Sequence, residues 1–235
     1  MGVESSYYSN LVYNSTGMLC FYAALAITAL ASIILRLIHR KYSAIENDKG
    51  VTGYDVAMQI LSSNGLSDIQ IGKIDGSLTD YYNNSNREIR LSESVYGEKT
   101  ISAIAVAAHE CGHAIQYKEG YGPIKVRNGL AKVASIGNTI GYISLAIGFF
   151  ASITGLVYIG VALMFFAIFF QLVTIPVEFD ASRRARKELL RLGLISEDET
   201  PGVKKMLHAA GFTYIAGLLS SVLEIFRLLS YVRKK

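Results

Sequence analysis

The stretch VASIGNTIGYISLAIGFFASITGLVYIGVALMFFAIFFQLVTIPV, residues 133–177, contains no Asp, Glu, Lys, Arg or His. A helix rises about 1.5 Å per residue, and a bilayer core is about 30 Å thick, so a span needs roughly 20 residues. The stretch is therefore long enough for two spans. We divide it near residues 151–155, giving spans at about 131–150 and 156–175, with Pro176 marking the exit. Residues 5–35 form a second charge-free run, ending in the basic Arg36-Leu37-Ile38-His39-Arg40-Lys41. It predicts a first span at about 18–38. The N-terminus lacks the basic start and small-residue cleavage site of a secretory signal, so this span is expected to stay uncleaved. Residues 211–231 form a fourth apolar helix, interrupted by Glu224 and Arg227, which can pair locally at a spacing of three.

Composition agrees. Of 235 residues, 51% are hydrophobic and 18% charged, where about 25% charged is usual. An ordinary soluble protein is excluded. So is a disordered chain, because there are only 3 Pro and the charge is modest. The net charge of +4 gathers beside the apolar runs, which points to a lipid bilayer rather than to nucleic acid as partner. Cys20 and Cys111 make no disulfide framework.

Arg36, Arg40 and Lys41 follow the first span, Lys125, Arg127 and Lys132 precede the second, and Arg183, Arg184, Arg186, Lys187 and Arg191 follow the third. By the positive-inside rule, the polar segments face the cytoplasm and the N-terminus lies outside. The basic tail Arg233-Lys234-Lys235 leaves open whether the last helix spans. The expected organisation is an N-terminal segment and span over 1–39, a cytoplasmic segment over 40–130, two spans over 131–177, a cytoplasmic helix over 178–210 and the apolar helix over 211–235. Within the polar part, residues 52–66 and 99–117 read as helices. Residues 69–74 alternate loosely, and 88–91 read as a strand. Residues 178–192 read as a separate charged helix, followed by a loop over 193–201. The fold class is mainly α with a small β element.

Within the second polar helix stands His109-Glu110-Cys111-Gly112-His113. On a helix, positions i and i+4 share a face, so His109 and His113 can offer two imidazoles to one cation. Two neutral imidazoles suit Zn²⁺. Glu110 stands beside the first histidine as the catalytic base for a water activated there. Catalytic zinc usually has three protein ligands. Gln116 and Glu119 stand where one extended form of the motif needs Gly and His. The apolar run before His109 is too short for an intramembrane motif. A downstream carboxylate remains: Glu178 is expected as third ligand, with Glu119 its rival.

The segments Val106–Gln116 and Pro176–Ala185, together with Leu78-Thr79-Asp80-Tyr81-Tyr82 and Arg90-Leu91-Ser92, resemble the YugP-type membrane zinc metallopeptidases of prokaryotes. The resemblance extends over most of the chain from Gly50 to about Tyr231. It implies a membrane-bound, zinc-dependent, zincin-like protease, which the apolar runs and basic flanks extend to a multi-pass inner-membrane protein with a cytoplasmic catalytic domain. It carries His109, His113 and Glu178 as ligands and Glu110 as base. In the wider group of zincins with a glutamate ligand, an Asp four residues after that Glu orients the first histidine; here Ser182 stands there. Asp180, two residues after Glu178, points elsewhere on a helix. The same resemblance suggests residues 88–92 as an edge strand that receives an extended peptide.

His208 and Tyr81 are further candidates to stabilise the transition state, with Tyr82 and Arg183. Cys111 points more than 150° away from the histidines on a helical wheel, which fits core packing. His39 is expected at the membrane interface. The function expected is zinc-dependent hydrolysis of a protein or peptide substrate. A membrane scaffold with structural zinc is the alternative, and a transporter would rest on Glu224 and Arg227 alone.

Overall fold

The computed structural model describes residues 2–232 of the backbone and the side-chain surroundings of residues 15–229. In chain order the elements are α1 (Gly2–Tyr42), α2 (Gly53–Ser63), β1 (Gln70–Ile74), β2 (Tyr81–Asn83), β3 (Glu88–Ser92), α3 (Glu93–Tyr96), α4 (Ile101–Lys118), α5 (Gly122–Phe150), α6 (Thr154–Arg191) and α7 (Thr200–Val232). The protein is mainly helical with one small sheet. Among the described residues, four helices are long and apolar enough to cross a membrane: α1, α5, α6 and α7.

The chain divides into two compact units. One comprises the residues up to Ser32, Val126–Thr174 and those from Thr213 on. Its helices turn large apolar side chains outward; Phe150 is 95% exposed, and Phe165, Leu172 and Phe226 are also exposed. Such surfaces suit hydrocarbon as solvent. The α5–α6 hairpin closes through a turn at Ser152 and a bond from Ser144 Oγ to the Leu156 carbonyl at 2.9 Å. Gly160 allows close approach here, because a Cβ there would lie 2.9 Å from the Gly141 carbonyl oxygen. Thr28 and Ser220 bond at 2.7 Å between α1 and α7. Gln171 donates to Ser221 at 2.9 Å between α6 and α7. Arg227 donates to Glu224 Oε2 at 2.7 Å, the local pair that their spacing implies, and lies over the Phe21 ring.

The second unit comprises Ile33–Lys125 and Ile175–Phe212. Its core joins Val56, Ile60 and Leu61 of α2, Ile89 and Leu91 of β3, Ile104 and Cys111 of α4, and Leu189, Val203 and Met206 from the last two helices. Helix α2 begins with a reciprocal cap: the Thr52 hydroxyl accepts from the Asp55 amide, and the Asp55 carboxylate accepts from the Thr52 amide. Ahead of α7, Ser196 and Glu199 exchange bonds that close the turn leading into the helix. The sheet order is β1-β3-β2, with β1 parallel and β2 antiparallel to β3.

Two sequence expectations are corrected here. Helix α6 runs unbroken through Pro176 to Arg191, so 178–192 is not a separate helix. Proline removes one backbone donor but does not forbid a long apolar helix whose neighbours support it. Strand β3 is central rather than an edge, and Ile89 and Leu91 are fully buried. It took both faces of the sheet for burial, which a single alternating strand pattern does not reveal. The free edges belong to β1 and β2, and β2 lies against α4.

Candidate metal centre

Helix α4 starts at Thr100, whose hydroxyl accepts from the Ala103 amide at 3.2 Å. Its buried face is built largely of small residues, among them Ala103, Ala107, Ala108 and Ala114. That composition lets the C-terminal part of α6 come close. At Gly112 the approach is closest, since a Cβ there would lie 2.4 Å from the Ala181 carbonyl oxygen. The contact sits between the two histidines on one helix and one turn after Glu178 on the other.

The consequence is a three-residue cluster. His109 Nε2 lies 3.2 Å from Glu178 Oε2, and His113 Nε2 lies 3.6 Å from the same oxygen. The two imidazole rings stand edge to face with centroids 4.8 Å apart. All three donor atoms fall within 4.8 Å of one another. Bonds of about 2.0–2.2 Å to a tetrahedral ion separate neighbouring donors by a little over 3 Å, so these donors fit zinc in both chemistry and spacing. Glu178 is only 2% exposed. Glu119, the rival ligand, instead pairs with Arg184 away from the cluster.

Each histidine is held by its other nitrogen. His109 Nδ1 bonds the Ser182 hydroxyl at 3.2 Å. His113 Nδ1 bonds Gln116 Oε1 at 3.1 Å. Gln116 is fully buried, and its amide nitrogen donates to the Val177 carbonyl at 2.8 Å and to Asp180 Oδ2 at 3.0 Å. Asp180 in turn accepts from Arg183 and Arg184. Such partners fix the ring tautomer and orientation of a ligand histidine. Asp180 thus reaches the site through Gln116, although it points away from Glu178 on its own helix. Gln116 was missed by sequence reasoning. Its position one turn after His113 was the available signal.

Glu110 is 7% exposed. Burial pushes its carboxyl up to about 7, His109 pulls against this, and Glu178 and Asp80 add to the rise. Asp80, also raised by burial, accepts from the Ser92 amide at 2.7 Å and from its hydroxyl at 3.0 Å. Cys111 faces the core, its thiol 3.7 Å from the Ala57 carbonyl, and burial raises its pKa. His39 bonds Ser102 at 2.7 Å. Tyr81 is exposed on β2, and Arg183 is exposed on α6. His208 stacks near Phe179, with centroids 6.4 Å apart, rather than among the three donors.

Two histidines one helical turn apart, a carboxylate from a second helix and a buried glutamate beside them make a candidate zinc site on a protein with four helices long and apolar enough to cross a membrane. The family described as "Putative neutral zinc metallopeptidase" matches residues 17–233, and the chain belongs to it. It is similar to the protein named "Putative membrane protease YugP" of Bacillus subtilis (strain 168), with 40% identity over 205 residues, covering 87% of this chain and 91% of that protein. No solved structure matches. The protein is thus membrane-associated and of the zinc metallopeptidase family.

Proposed function

We propose that this protein is a zinc-dependent endopeptidase that hydrolyses peptide bonds at the cytoplasmic face of the cell membrane, through a zincin-like domain. The observation that carries this is the convergence of His109, His113 and Glu178 beside the buried Glu110. His109, His113 and Glu178 hold the metal. Zinc bound there supplies Lewis acidity. Glu110 takes a proton from the attacking water and passes it to the departing amine. Ser182 and the Gln116–Asp180 pair keep the two imidazoles aimed inward. Three protein donors leave a position for substrate and water, whereas structural zinc is usually closed by four.

The cytoplasmic orientation rests on the basic residues flanking the apolar helices. A multi-pass arrangement in the inner membrane is supported by the four helices long and apolar enough to cross a bilayer.

Metal content and proteolysis of detergent-purified wild type beside Glu110→Gln and Glu178→Gln test the assignment. Wild type and Glu110→Gln should each carry one zinc, with only wild type cleaving a denatured protein; Glu178→Gln should lose zinc. A zinc-free wild type would refute it. For orientation, a single cysteine in the β1–β2 loop should react with a membrane-impermeant reagent only after cells are opened.

A further inference from the structure

One cavity of the second unit lies outside the metal cluster and adjoins it. It measures about 230 Å³ and is lined by Phe179, Ser182, Arg183 and Arg186 of α6 and by Lys204, Leu207 and His208 of α7. The α6 residues recur at three- and four-residue spacing, as do those of α7, so two helical faces close on each other. Two lining residues, Phe179 and His208, stand edge to face with centroids 6.4 Å apart, and Phe212 packs behind them against both rings. The rim is cationic, and no acidic residue lines it. Arg183 pairs with Asp180. Among the described residues, Arg186 and Lys204 pair with no carboxylate. Ser182 joins the cavity to the metal cluster, because this lining residue bonds His109 through its hydroxyl. Phe179 directly follows Glu178.

We infer that this cavity is a carboxylate-binding subsite for the peptide substrate, with Arg186 and Lys204 as its specificity-determining cations. It rests on the peptidase activity proposed above. The volume is below that of pockets for drug-sized ligands and suits a single side chain or chain end. An apolar wall with a cationic rim matches a short aliphatic stem ending in a carboxylate, either a Glu or Asp side chain or a free C-terminus. Arginine and lysine bind such a group by charge-assisted hydrogen bonds. The link through Ser182 to a metal-site histidine favours a substrate over a lipid headgroup.

The test is peptide binding by fluorescence anisotropy, using the full-length Glu110→Gln protein in phosphatidylcholine nanodiscs. The probes are labelled alanine-rich decapeptides with one Glu walked along the sequence, each beside its Gln twin, and each with a free or an amidated C-terminus. At one position, or at the free C-terminus, the carboxylate form should bind about tenfold tighter. Which of the two arms shows the preference identifies the source of the carboxylate. Arg186→Gln/Lys204→Gln should abolish it. Arg186→Glu/Lys204→Glu should invert it in favour of a Lys twin, a gain that misfolding cannot produce. Equal binding of all twins overturns the inference, as does a preference that survives both double variants. Loss of the preference in phosphatidylglycerol nanodiscs overturns it too, by assigning the cavity to lipid. Cleavage of the same peptides by zinc-loaded wild type separates the two proposals. Cleavage without preference refutes the subsite alone; preference without cleavage refutes the peptidase alone.

Discussion

Replacing Gly112 by Ala tests whether the helix crossing positions the metal donors. A methyl group there meets the Ala181 carbonyl oxygen at 2.4 Å, its carbon at 3.0 Å and its Cα at 3.1 Å. All three are backbone, so no side chain can swing aside. Ordinary contact begins near 3.4 Å, and relief requires α4 and α6 to part by up to about 1 Å, the kind of overpacking that costs about 1–3 kcal/mol. His109 and His113 flank the contact on one helix, and Glu178 lies a turn before it on the other. Metal–ligand distances tolerate only about 0.2 Å. If the strain is relieved by parting the donors, zinc should bind about 10- to 100-fold more weakly. Competition against a chelator of known affinity, on purified protein, measures this. Gly97→Ala is the control, because nothing lies within 4 Å of its Cβ position and its φ is −102°. Zinc affinity within twofold of wild type in Gly112→Ala would refute the role given to the crossing.

Other expectations concern single groups. Gln116→Ala removes the partner that aims His113 and should weaken zinc binding about 10- to 100-fold, with Ser182→Ala having a smaller effect because a water can replace its hydroxyl. In metal-free protein, Glu110 keeps its proton until about pH 7, whereas an unfolded chain releases it near 4.5. Stability contributed by this group is full below 4.5 and is lost as pH rises to about 7. At pH 8, metal-free Glu110→Gln should therefore exceed wild type by up to about 3 kcal/mol. The chain has no Trp, so circular dichroism is the way to follow the melts; identical melting points at pH 8 would contradict the burial cost. Stripping zinc from wild type should lower its melting temperature, since zinc at 100 times its Kd adds about 2.7 kcal/mol. The same treatment should leave Glu178→Gln unmoved.

Much of this was legible in the chain. Charge-free runs mark apolar helices because hydrocarbon tolerates so few charges. The i, i+4 histidines mark a shared face because helical geometry is local. The approach of Glu178 to them followed from the need for a third donor, and the donors do cluster. What stayed illegible depends on contacts between distant elements. The central position of β3 and the short β2 beside it are set by pairing partners, not by local pattern. Continuity through Pro176 depends on the rest of a 38-residue helix. Asp180 reads as turned away on a helical wheel, yet Gln116 bridges the gap from the facing helix. A wheel describes one helix and says nothing about a side chain offered by another.

Helix α6 carries Glu178 on the same continuous rod as an apolar stretch of membrane length, and the two histidines precede that rod by a further apolar helix. During synthesis, therefore, the histidine pair leaves the ribosome long before its carboxylate partner. The cluster can close only after α5 and the first part of α6 have emerged and settled. A chain that stalls or is cut anywhere between residues 114 and 177 holds two donors instead of three. Assembly order thus delays the three-donor cluster until α5 and the apolar part of α6 have been made.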